Sequence, residues 1–221
     1  MLFRTILPRL AISRAYSSKL SNYFELFPKC FPAGGPPADQ FAINLRQLRR
    51  EYRNVQSEHH PDVIMGSAAL STNSDPTDTT SALVNRAYST IRNPYTRAAY
   101  VIQIHHPEHI DITQDDVSKA LISKFQAESP EYSVDYKMLL MTVLDAHESL
   151  ELAGSEADLE SLQTENEARI EETEGAINAL LKKKPIVWEE VIIETIRMKY
   201  WVNIANGIKD WEPGKPVHLT H

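Results

Sequence analysis

The sequence predicts an all-α protein in two parts, a helical hairpin with flanking short helices followed by a three-helix bundle. Three observations carry this. Apolar residues recur at intervals of three and four in segment after segment, among them Phe41, Leu45, Leu48, Tyr52 and Val55, then Leu139, Val143, Ala146 and Leu150, which is the spacing of one buried helix face. Residues that start and stop helices stand between those segments: Pro28, Asn93-Pro94, Ser129-Pro130, Gly154 and Pro185. A chain of 221 residues, 42% of them hydrophobic, can also bury one or two cores without covalent staples.

The bulk chemistry narrows the function classes. A net charge of -7 argues against non-specific nucleic-acid binding, which needs cations to displace counterions from phosphates. Cys30 is the single cysteine, which excludes a disulfide framework and a Cys-based zinc site within one chain. No apolar run approaches the roughly 20 residues that span a bilayer, so no membrane partner is expected, and no cofactor. The first twenty residues stand apart. Arg4, Arg9, Arg14 and Lys19 alternate with Leu2, Phe3, Ile6, Leu7, Leu10 and Ile12, and the first carboxylate is Glu25. An amphipathic, acid-free, Arg- and Ser-bearing start reads as a mitochondrial transit peptide. Arg14-Ala15-Tyr16-Ser17-Ser18 resembles a processing site with cleavage after Tyr16.

Beyond it, Ser21 is placed to cap a short helix through Phe27, stopped by Pro28. After the breaker-rich Phe31 to Pro37 stretch, Asp39 is the expected cap of a long helix with Phe41, Leu45, Leu48, Tyr52 and Val55 inward. Its outer face carries Arg46, Arg49, Arg50 and Arg53 at three- and four-residue intervals, a basic stripe suited to steering an acidic partner. Pro61 ends this helix. Val63 to Thr80, rich in Ser, Thr, Asn and Asp, is expected as a flexible loop. A third helix starts at Thr79, Thr80 or Ser81 with Val84, Ala87, Tyr88 and Ile91 buried. Asn93-Pro94 stops it and caps a fourth, which buries Ala98, Ala99, Val101 and Ile102. His105, His106 and His109 invite a metal reading, but Pro107 breaks helical ligand spacing and no acidic cluster converges on them, so no metal is expected.

A connector follows, with a short helix over Asp115 to Phe125. From about Ser133 to Leu152, Leu139, Val143, Ala146 and Leu150 form one stripe, while Leu140 and Leu144 form a second, about 120° round at about 100° per residue. The second stripe is either additional core or an exposed contact surface. Ser155 with Asp158 resembles a capping box for a helix carrying Leu159, Leu162, Asn166, Ile170, Thr173, Ile177 and Leu180 inward. The last helix turns Trp188, Val191, Ile192, Thr195, Met198, Val202 and Ala205 inward, and Tyr200 lies off that set, on a side open to solvent.

The hardest stretch to explain by packing is His60-Pro61-Asp62, directly after the basic helix. A catalytic dyad of His60 and Asp62 would need a nucleophile or metal in a recognisable motif, and none is nearby. A structural turn explains Pro61 and Asp62 but not the arginines. A docking element accounts for all of them. The triplet in this setting resembles a J domain. Tyr23-Phe24-Glu25-Leu26-Phe27-Pro28, Gln56 to Asp62, Asn85 to Ile91, Asn93 to Tyr100, Lys199-Tyr200-Trp201 and Lys209-Asp210-Trp211 together resemble, more closely, the HscB-type mitochondrial co-chaperones of iron–sulfur cluster biogenesis. The resemblance runs from Asn22 to Trp211.

That resemblance implies a layout and a role. Residues 1–16 are the transit peptide, 21–104 the J domain, 105–131 a connector, 132–211 the three-helix scaffold-binding domain and 212–221 a tail. The chain is not expected to be an enzyme. His60, Pro61 and Asp62 would contact an ATP-bound mitochondrial DnaK-type chaperone, with Arg46, Arg49, Arg50 and Arg53 steering. Leu140, Leu144 and Tyr200 would hold an IscU-type iron–sulfur scaffold protein, with Leu139, Thr142, Asp145 and Ser149 at corresponding contact positions; Thr142 and Ser149 replace residues that are charged in relatives. The family's location is the mitochondrial matrix. The alternative is a J protein for general mitochondrial folding or import, whose C-terminal helices bind a different client. General DnaJ proteins carry CxxC zinc modules and some HscB relatives an N-terminal one; a chain with Cys30 alone can form neither.

Overall fold

A computed structural model describes residues 22–59 and 76–215. Among them, every regular element is helical: α1 (Leu45–His59), α2 (Pro76–Arg92), α3 (Pro94–His105), α4 (Asp115–Glu128), α5 (Pro130–Leu152), α6 (Glu160–Lys182) and α7 (Trp188–Lys209), with short 3-10 turns at Tyr23–Leu26 and Glu156–Leu159. The all-α expectation holds. The chain forms two compact units that divide between Ile91 and Arg92, with Gln40–Ala42 belonging to the second.

In the first unit, Asn22 rather than Ser21 caps the opening turn, its Oδ1 accepting from the Phe24 and Glu25 N–H groups. Phe24, Leu26, Phe27 and Phe31 are buried, with Phe24 and Phe31 edge to face at 4.8 Å. Gly35, at φ +108°, lets the backbone close onto Phe24, where a Cβ would stand 2.4 Å from the ring. The expected cap Asp39 does other work. Its carboxylate accepts from the Ala33 and Gly35 N–H groups and closes the breaker-rich turn. Asn44 caps α1 instead, accepting from the Arg46 and Gln47 N–H groups. The helix therefore starts at Leu45, and Phe41 is not on it.

Buried Glu51 is satisfied by the backbone, accepting from the Lys29 and Cys30 N–H groups at 2.8 and 3.0 Å. Burial, followed by the Glu51 carboxylate, pushes the Cys30 thiol up to about 12. Leu48 of α1 and Val84, Ala87 and Ile91 of α2 are buried. Tyr52 stacks on Tyr88 at 4.0 Å and donates to Asn85 Oδ1. Helix α2 begins at Pro76, ahead of the expected Thr79, Thr80 or Ser81, because proline is favoured in a first helical turn; the loop expectation thus loses its last five residues. Its remainder, with His60, Pro61 and Asp62, lies outside the described residues, as does the N-terminal basic segment.

In the second unit, Asn93 Oδ1 accepts from the Tyr95 and Thr96 N–H groups, with Pro94 opening α3. Ala98, Ala99, Val101 and Ile102 are buried as expected. That face packs on α7, so α3 belongs to the compact unit of the C-terminal helices, although the sequence groups it with the hairpin up to residue 104. Sequence reading also passes over Arg97, which is 1% exposed. Its guanidinium pairs with Glu174 of α6 and lies 4.6 Å above the ring of Phe41. The Phe41 N–H donates to Asn178 Oδ1 at 3.0 Å. Phe41 thus fills a pocket of α3 and α6.

Ser129 Oγ caps α5 and Pro130 opens it, three residues before the expected start, while α4 runs three residues further than expected, to Glu128. The Ser155–Asp158 capping box forms. Helices α5, α6 and α7 make the bundle around Leu139, Val143, Ala146, Trp201 and Ile204. Asn166 Nδ2 donates to the Trp201 carbonyl inside it, and Trp211 Nε1 donates to the Leu150 carbonyl. Glu174→Gln is expected to lower stability by about 3 kcal/mol, because it strips the counter-charge from a buried cation. Urea unfolding followed by circular dichroism reads this directly, and a change under 1 kcal/mol would contradict the pairing.

Candidate functional site

Two surfaces can carry recognition. On α1, Arg46, Arg49, Arg50 and Arg53 are all exposed. Arg46 and Arg50, with Lys29, Gln47 and Asn54, rim a shallow cleft against Asn44 and Glu51. The basic stripe ends at Arg53 and the helix at His59; the His60-Pro61-Asp62 triplet that follows in sequence lies outside the described residues.

The second surface is on α5. Its inner stripe, Tyr132, Leu139, Val143, Ala146 and Leu150, is buried. Leu144 is 66% exposed and Leu140 half-buried, so the second leucine stripe faces outward and is not additional core. Tyr200 departs from the solvent-facing expectation. It is half-buried against the bundle core, and its hydroxyl lies 2.6 Å from that of Tyr136. Tyr136 stands one turn before Leu140 on the same side of α5, so Tyr200 closes the edge of the leucine stripe. Burial, then the Tyr136 hydroxyl, hold the Tyr200 phenol well above its ordinary range.

The other expected contact positions divide. Leu139 is 8% exposed and belongs to the core cluster, so it supports the surface from behind. Thr142 is half-buried and its hydroxyl donates to the Met138 carbonyl; Ser149 likewise donates to the Asp145 carbonyl. Asp145 is exposed. The surface also includes residues that sequence reading passed over: Val134, Met138 and Met141 are 55, 62 and 64% exposed. The signal was present in Met138-Leu139-Leu140-Met141, four consecutive apolar residues that no single helix face can bury. At the histidines, His106 packs on Trp188 and its Nδ1 accepts from the Glu108 N–H, while His109 Nδ1 lies 2.9 Å from the Gln103 carbonyl. Among the described residues no three His, Cys, Asp or Glu side chains gather as a metal site.

A unit bearing a basic helix, followed by a three-helix bundle with an outward apolar face, is an all-helical protein of two units. Comparison with known proteins gives the family. A family model described as "HSCB C-terminal oligomerisation domain" matches residues 135–209. The mitochondrial J-type co-chaperone JAC1 of Saccharomyces cerevisiae is 32% identical over 202 residues, 91% of this chain and 94% of that protein. The human iron-sulfur cluster co-chaperone protein HscB is 25% identical over 169 residues, 76% of this chain and 63% of that protein. A solved structure of the Saccharomyces cerevisiae Jac1 co-chaperone superposes with a TM-score of 0.59 at 31% identity, covering 90% of this chain and 98% of that one. The chain belongs to the HscB/Jac1 family of iron–sulfur cluster co-chaperones, in its mitochondrial branch.

The aromatic edge of the site sets an alkaline limit. Burial raises Tyr132 from an ordinary 10 to about 12, and Tyr95 likewise; Tyr200 rises too. A phenol whose folded pKa is raised stabilises the fold fully below its unfolded pKa, and that stability is lost as pH climbs through the folded one. Urea midpoints are therefore expected to hold below pH 10 and fall between pH 10 and 12, with a shallower fall in Tyr132→Phe. An equal slope in the variant would refute the assignment of Tyr132.

Proposed function

We propose that this chain stimulates ATP hydrolysis by a mitochondrial DnaK-type chaperone of the heat-shock 70 family and delivers an IscU-type iron–sulfur scaffold protein to it, promoting cluster transfer. The observation that carries the reading is the outward apolar face of α5: Leu144 is 66% exposed on a helix whose inner stripe already completes the bundle core. An apolar face left over by packing favours a protein partner. Its place in an iron–sulfur co-chaperone family supports the scaffold as that partner.

In this reading Leu140, Leu144 and Tyr200 anchor the scaffold, Leu139 backs them from the core, and Thr142 and Asp145 border them. His60, Pro61 and Asp62 meet the ATP-bound chaperone, and Arg46, Arg49, Arg50 and Arg53 steer its approach by charge complementarity. The chain catalyses no reaction of its own. It raises the scaffold's effective concentration at the chaperone by holding both at once. Residues 1–16 direct it to the mitochondrial matrix and are removed there.

Two measurements test the halves separately. His60→Gln is expected to abolish stimulation of the chaperone's steady-state ATPase while leaving scaffold binding intact; equal stimulation by both proteins would sink the chaperone half. Leu140→Ala/Leu144→Ala is expected to cost at least ~2 kcal/mol of scaffold affinity, roughly thirtyfold, as for clustered apolar anchors. Calorimetric binding with unchanged affinity would remove the α5 face from the contact. The leucine pair is the cleaner variant, because Tyr200→Ala also strips packing from the core cluster.

A further inference from the structure

Round the outside of α5, residues 140, 144, 141, 138 and 142 succeed one another in steps of roughly 40–60° at about 100° per residue. A partner seated on Leu140 and Leu144 that also reaches Asp145 and Thr142 must pass over Met141 and Met138. Both are largely exposed, at 64 and 62%, and as residues i and i+3 their thioethers lie side by side. The other sulfurs among the described residues are differently placed. Met198 is 0% exposed in the bundle core. Cys30 is half-buried, and the neighbouring Glu51 carboxylate helps to keep its thiol protonated, which makes it a poor nucleophile toward oxidants.

We infer that Met138 and Met141 form an oxidation-sensitive site within the docking face, where conversion to methionine sulfoxide by hydrogen peroxide releases the scaffold. This rests on the scaffold reading above. The step is a two-electron oxidation of sulfur. The thioether lone pair attacks one peroxide oxygen, the O–O bond breaks, and that oxygen stays on sulfur as the sulfoxide. The other leaves as water after taking up the displaced proton. Each sulfoxide puts a strong hydrogen-bond acceptor where an apolar surface must be desolvated, so docking loses buried apolar area and leaves polar oxygens without partners. Methionine sulfoxide reductase reverses the change with a thiol reductant. The oxidant signal thus acts on client capture and leaves the chaperone-facing helix α1 untouched.

The experiment treats the full chain with hydrogen peroxide, removes the oxidant by desalting, maps sulfoxides by peptide mass spectrometry, and measures scaffold affinity by calorimetry before treatment, after it, and after reductase treatment. Met138 and Met141 are expected to oxidise well before Met198, affinity to fall at least tenfold, and reductase to restore it. Met138→Leu/Met141→Leu, which keeps the face apolar but has no thioether there, is expected to hold its own untreated affinity through peroxide, whatever that starting affinity is. Full affinity with both sulfurs oxidised overturns this inference alone, and so does an equal loss in the leucine variant. Failure of the untreated chain to bind scaffold overturns both this inference and the scaffold reading.

Discussion

A helix in a three-helix bundle can bury one face, and α5 carries apolar side chains over nearly its whole circumference between Val134 and Leu144. Packing takes Leu139, Val143 and Ala146 inward, and geometry then forces Met138, Met141 and Leu144 out. Such exposure is costly in water unless a partner covers it. The arrangement of the C-terminal unit follows from that constraint. Tyr136 and Tyr200 close one flank by their shared hydroxyl contact, and Lys137, Asp145, Glu148 and Ser149 are among the exposed polar residues interspersed on the outward side.

The second unit depends equally on a knot that is far less visible in sequence. Arg97 is buried between the Glu174 carboxylate and the Phe41 ring, and the Phe41 backbone is tied to Asn178. Desolvation lowers the Arg97 guanidinium to about 10, against which Glu174 acts, so the cation stays charged at physiological pH. An arginine in a helix reads as a solvated residue by type, and its partner lies 77 positions away. Nothing local announces either.

That contrast explains which readings transfer from sequence to structure. Signals that act within one turn do so faithfully: Asn93-Pro94 caps α3, Ser155 and Asp158 form their box, and Leu139, Val143, Ala146 and Leu150 face inward. Where a residue has two possible local roles, tertiary contacts decide. Asp39 could cap a helix or close a turn, and Gly35 packed on Phe24 settles it for the turn. Phe41 fits the α1 period by spacing yet is drawn to Arg97. Tyr200 falls outside the inward set of α7, but a tyrosine is long enough to lay its ring on the bundle and present only its hydroxyl to Tyr136. The outward leucines were legible as an excess over what packing needs. The methionines beside them give a weaker signal, because a flexible thioether fills a core gap as readily as it lies on a surface.

The Trp211 indole, hydrogen-bonded to the carbonyl of Leu150, has a mechanical meaning when taken with the Tyr136–Tyr200 contact. Helix α5 is clamped to α7 and its trailing residues at two points fourteen residues apart in the α5 sequence, about 21 Å of helix at 1.5 Å per residue. Every exposed apolar side chain from Met138 to Leu144 lies between those clamps. Between the clamps Leu139, Val143 and Ala146 bed the same helix on the core, so a load applied there meets support along the span as well as at both ends. A client gripped by this face would be carried as a rigid body, with little of the pull absorbed as local fraying of the helix that holds it.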